Sequence, residues 1–62
     1  MQPYQRRVLD ETHALGVKLL ALTQFLRGAM SCDVDEHVRL IRQRDAMHAY
    51  YSILHERIAS WQ

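Results

Sequence analysis

The chain has 62 residues, a formal net charge of +1, and one cysteine. That length allows one small domain; with an intrachain disulfide excluded, a core this size ordinarily needs a metal or further copies of the chain to complete it. Acids and bases are interspersed, so no broad positive field exists to recruit a nucleic-acid polymer by counterion release, and such a partner is not expected. A single thiol fits a reducing compartment. No charged-then-apolar leader opens the sequence, and its longest apolar run, Leu19 to Leu22, is far short of the roughly 20 residues of a membrane span. The expectation is a soluble, cytoplasmic protein with no membrane contact.

From about residue 3 to 27 the pattern predicts the first helix. Pro3 suits a first helical position, where its missing N–H is not required. Val8, Leu15, Leu19, Leu22 and Leu26 form a stripe at helical spacing with Thr12 in its gap, and Leu9, Leu20 and Phe25 widen it. Gly16 interrupts this helix at a cost of about 1 kcal/mol relative to alanine; a mid-helix glycine is read either as allowing close approach of another backbone, here a partner helix, or as a tolerated surface residue. Gly28 reads as the terminator. Residues 28 to 33 form the turn, which is taken to centre near Met30. Asp33, with Glu36 three residues later, reads as a capping box that opens a second helix over about residues 34 to 60. Its stripe is Leu40, Met47, Tyr51, Leu54, Ile58 and Trp61, interrupted by Arg44, with Ile41, Tyr50 and Ile53 as a second edge.

Two helices of this length joined by a short turn lie antiparallel. The fold class is therefore all-α, a two-helix hairpin comprising residues 1 to 62 as one domain. A pair of helices shares one seam, whereas each helix here carries more apolar surface than one seam uses. The surplus calls for more copies, from a dimer upward, packed as a helical bundle. Arg44, a charge within the seam, is a candidate for fixing register or copy number.

Enzyme chemistry is not expected. Cys32 has His37 five residues on but no third group to orient the pair. His48 and His55 share a face, with Glu56 nearby, but lack the further ligands of a metal site, and no glycine-rich phosphate loop is present. Catalytic, metal and cofactor sites are all read as none.

More informative is a polar stripe on the first helix: Tyr4, Arg7, Glu11 and Lys18, separated by three, four and seven residues and so on one face. In its plainest reading this is a solvated face with an Arg7–Glu11 ion pair. Tyr4 and Lys18 lie about 21 Å apart along one helix, too far to hold one small ligand together. If two copies pack their first helices antiparallel about a two-fold near Glu11, Tyr4 of one chain faces Lys18 of the other, twice. A turn near Met30 also sets Arg57 level with Tyr4. An aromatic ring to stack on a base, two arginines and a lysine then make a site for a phosphate-bearing nucleotide.

The first helix reads Pro3-Tyr4, Arg7-Val8, Glu11, Leu15, Lys18, Leu22, Phe25, and the second Leu40, Gln43, Met47, Tyr50, Ile53-Leu54, Arg57-Ile58. In this ordered combination, which spans nearly the whole chain apart from residues 28 to 37, the sequence resembles the small phage helical hairpins shared by anti-CBASS and anti-Thoeris cyclic-nucleotide sponges and related proteins of crAss-like phages. The resemblance implies a non-enzymatic, homo-oligomeric protein of two to six chains in the host bacterial cytoplasm. It would sequester cyclic di- or trinucleotides, or cyclic ADP-ribose-type signals, without cleaving them. It also implies ligand-binding roles for Tyr4 and Lys18, with Arg7 and Arg57 as supporting cations. The alternative is an interaction module that binds or blocks a host protein through Tyr50, Ile53 and Trp61, large side chains of the kind that anchor such contacts.

Overall fold

In the computed structural model, which describes residues 1–28 and 33–61, two α-helices pack side by side as a hairpin: α1 (Pro3–Arg27) and α2 (Val34–Ala59). The turn expected around Met30 and the Cys32 thiol lie outside the described residues. Among the described residues no helix is long and apolar enough to cross a membrane.

Local chemistry sets the helix ends. Pro3 stands at the first turn of α1, and the Gln5 side chain reaches back to accept from the Gln2 backbone N–H at 2.8 Å, a cap that the sequence reading did not anticipate. At the start of α2 the Asp33 carboxylate accepts from the Glu36 N–H at 2.8 Å. The box expected there is half formed, since the Glu36 carboxylate turns to Arg39 at 3.7 Å instead. Asp35 and Glu36 in the first turn complement the positive end of the helix dipole, and Arg27 and Arg57 complement the negative ends of α1 and α2. Gly28 closes α1 with its N–H on the Phe25 carbonyl at φ −104°, so the end is made without a left-handed residue.

The shared seam is formed by the two expected stripes. Leu54 is fully buried, Val8 is 6% exposed, and Leu15, Leu19, Leu22, Leu26, Leu40, Met47, Tyr51, Ile58 and Trp61 are half-buried around them. Thr12 can sit in this apolar line because its hydroxyl donates to the Val8 carbonyl at 2.7 Å, leaving no bare polar atom.

The resulting body is a rod of 45 × 15 × 14 Å with a radius of gyration of 14.4 Å, against about 11 Å for a compact domain of this length. It exposes 4919 Å², whereas a compact folded chain of 7.3 kDa exposes about 4,200 Å². The excess is close to the roughly 800 Å² that one partner contributes to a standard protein interface.

Candidate functional site

The hairpin carries chemistry on two flanks, and they differ in kind. The first is the polar stripe of α1. Tyr4, Arg7, Glu11 and Lys18 are all exposed on α1, and α2 brings Tyr50 and Arg57, two turns apart and so on one face, alongside them. The contact that joins the helices here is a hydrogen bond from the Tyr50 hydroxyl to the Glu11 carboxylate. That bond holds the Tyr50 phenol above its ordinary titration range, helped by desolvation and the Glu11 charge and opposed by the nearby Arg57 guanidinium. Glu11, Tyr50 and Arg57 therefore form one cluster.

One detail of the sequence reading is corrected on this flank. Glu11 does not pair with Arg7; it is taken by Tyr50, while the i,i+4 ion pair of this region is Arg6–Asp10 at 3.5 Å. The Tyr4 ring meets the edge of Trp61, one turn beyond Arg57 on α2, with centroids 6.0 Å apart and planes at 90°. Tyr4 nevertheless remains 46% exposed. Arg7, Lys18 and Arg57 form no ion pair among the described residues, so three cations stand against the single Glu11 carboxylate. Tyr50 belongs to this flank and was not among the expected site residues; its spacing of seven from Arg57 was the available signal.

The opposite flank is an open groove made of two adjoining hollows of about 540 and 490 Å³ that share Gly16, Leu20 and Tyr51. Its floor depends on Gly16. A Cβ there would stand 3.1 Å from Tyr51 Cε1 and 3.4 Å from its hydroxyl, so the glycine makes room for the tyrosine ring. Within the chain, the close approach at Gly16 is by the Tyr51 aromatic ring. Leu9, Val17 and Ile58 extend the apolar lining, and the His55 ring packs across Tyr51 at 4.5 Å. Arg44, the charge in the α2 stripe, lies at this groove with its guanidinium 3.2 Å from Asp45, so the two charges on its wall offset each other. Among the described residues no three of His, Cys, Asp and Glu come together as a metal site.

Fold and flanks define the class: a small α-helical hairpin with a cationic, aromatic flank on one side and an apolar groove on the other. The chain belongs to the Sequestin family, whose model matches residues 2–60 and thus both helices. The family name denotes the sequestering of a molecule. No curated protein and no solved structure matches the chain.

Proposed function

We propose that this protein is a phage anti-defence sponge. It binds cyclic oligonucleotide second messengers of the CBASS or Thoeris type, or cyclic ADP-ribose-type signals, in the cytoplasm of an infected bacterium and withholds them without cleavage. The observation that carries this reading is the Sequestin match over both helices of a chain whose polar flank holds Arg7, Lys18 and Arg57 without a carboxylate partner among the described residues. Unpaired guanidinium and ammonium groups next to an exposed tyrosine suit a ligand that offers phosphates and a flat base. Tyr4 and Lys18 are about 21 Å apart on α1, so a ligand touching both is held between copies of the chain. The proposed assembly is a homo-oligomer of two to six chains. Nothing in the role requires bond breaking: a sink acts by affinity and stoichiometry.

Calorimetry with a panel of cyclic dinucleotides, cyclic trinucleotides and cyclic ADP-ribose isomers tests this function. A tight, saturable heat with one of them and recovery of intact ligand after denaturation are expected; silence across the panel would remove the proposal. Given binding, Tyr4→Ala and Lys18→Ala should each weaken it by about 1–3 kcal/mol, the scale of a lost stack or an unpaired charge.

The competing reading is an interaction module. Two of its expected anchors have contacts within the hairpin, Trp61 with Tyr4 and Tyr50 with Glu11, while Tyr50 stays 41% and Ile53 54% exposed.

A further inference from the structure

The oligomer invoked above needs a seam, and the two flanks are not equal candidates for it. On the polar flank, close packing strips water from Arg7, Lys18, Arg57 and Glu11, a penalty that hydrogen-bonded ion pairing must offset. The groove flank presents the opposite chemistry. Leu20 is 59% and Val17 56% exposed, Leu9, Ile58 and Tyr51 are half-buried beside them, and the wall also carries His13, His48 and His55 and the Arg44–Asp45 pair, whose two charges offset each other. The outer face of α2 also exposes Val34 and Val38, one turn apart, but the exposed charges of Asp35, Arg42 and Asp45 flank them.

We infer that the Gly16–Tyr51 groove is the face on which a second copy of this chain docks, about a two-fold axis close to Gly16. Three observations select that occupant. The hairpin's excess exposed area is close to one partner's share of a standard interface, so a single like-sized contact completes it. With His13, His48 and His55 uncharged, a face whose only formal charges are the offset Arg44–Asp45 pair meets its own copy with no like-charge penalty, which an isologous contact would otherwise double. Gly16 lies next to the midpoint of α1, so an axis there lets the helices of both copies overlap along most of their length, giving an antiparallel four-helix packing. Leu20 and Val17 then enter the hollows of the partner and leave water.

This inference rests on the homo-oligomer reading and adds a geometric consequence. The groove and the polar flank lie on opposite sides of the hairpin. A chain that uses both, one for its twin and one for a ligand shared with a further neighbour, builds an assembly of more than two copies. The groove contact supplies the apolar stabilisation, while the polar flanks stay open at the outside of each pair.

Sedimentation equilibrium of the full chain without ligand, between about 1 and 100 μM, tests the face. Wild type is expected at an even multiple of 7.3 kDa. Leu20→Glu, which places a charge twice in the contact, should weaken the pairing at least about 100-fold, while Val38→Glu on the outer face of α2 keeps the wild-type mass. Because Leu20→Glu can also unfold a chain whose folding needs its twin, cysteine cross-linking in a Cys32→Ser background provides the second measurement. Val17→Cys or Leu20→Cys should give a covalent dimer at least tenfold faster than Val38→Cys under the same mild oxidant. Equal rates, or a helical Leu20→Glu protein with the wild-type mass, would overturn the groove as the seam while leaving an oligomeric sponge intact. A folded wild-type monomer at 7.3 kDa would overturn both; a normal assembly that binds nothing in the ligand panel would overturn only the sponge.

Discussion

Gly16→Ala is the substitution on which helix propensity and tertiary packing make opposite forecasts. In an isolated helix, alanine in place of an interior glycine stabilises by about 1 kcal/mol. Here the new methyl would stand 3.1 Å from Tyr51 Cε1 and 3.4 Å from its hydroxyl, tighter than ordinary carbon contact. The ring must retreat by a few tenths of an ångström, and it is itself packed edge-on against His55 at 4.5 Å. Overfilling of this kind costs about 1–3 kcal/mol. The net expectation is a loss of about 1 kcal/mol, or a drop in Tm of about 4–8 °C for a domain this small. With Tyr51→Ala already in place the obstacle is gone and Gly16→Ala should stabilise by about 1 kcal/mol, giving a coupling near 2 kcal/mol across the double-mutant cycle. Thermal melts followed by circular dichroism read all four proteins, at one fixed chain concentration because an assembling protein melts with its concentration. If Gly16→Ala raised the melting point equally in both backgrounds, Tyr51 would not be resting on Gly16 and the floor of the groove would be wrongly drawn.

Three further expectations follow from individual contacts. Leu54→Ala should cost about 2–5 kcal/mol in urea unfolding because Leu54 is wholly buried in the seam, whereas Ile53→Ala next to it, 54% exposed, should cost under about 1 kcal/mol; equal losses would contradict the seam. Asp33→Ala should cost about 1 kcal/mol and Asp33→Asn distinctly less, since asparagine can still accept from the Glu36 N–H; melts of the two variants decide it. For Tyr50, the hydrogen bond to Glu11 raises the phenol's folded pKa above its ordinary value of about 10, so the protonated form is the one folding favours. The stability from this contact is thus fully present below that value and is lost as pH rises through the raised folded pKa. Ultraviolet titration of the tyrosinate band should show one of the three tyrosines ionising late, and Tyr50→Phe should abolish that late step.

How much of this could be read in advance depends on the kind of contact. Helical period carried the stripes: Leu54, Val8 and the half-buried residues around them are the ones the spacing places inward, and Thr12 fits its gap because a threonine can return its hydroxyl to the carbonyl four residues back. The Asp33 cap was legible for the same reason, being chemistry within one turn. The polar stripe of Tyr4, Arg7, Glu11 and Lys18 was likewise visible as a face. Its partners were not. Glu11 had an arginine one turn away and took a tyrosine from the other helix instead, because a surface i,i+4 ion pair gains little and a phenol within reach competes on equal terms.

What the sequence alone determined is therefore what repeats along one helix: where each begins, which side turns inward, and that more apolar surface is present than a single seam consumes. The tertiary structure decided the register between the helices, and with it that the Trp61 ring meets Tyr4, that the Tyr50 hydroxyl reaches Glu11 and that Gly16 receives the Tyr51 ring. The reason is physical. A period of 3.6 residues fixes direction around an axis but is almost indifferent to sliding by one turn along it, so the choice among registers falls to how large side chains from both helices fit together. That same fit left a cationic edge on one side of the rod and an apolar trough on the other.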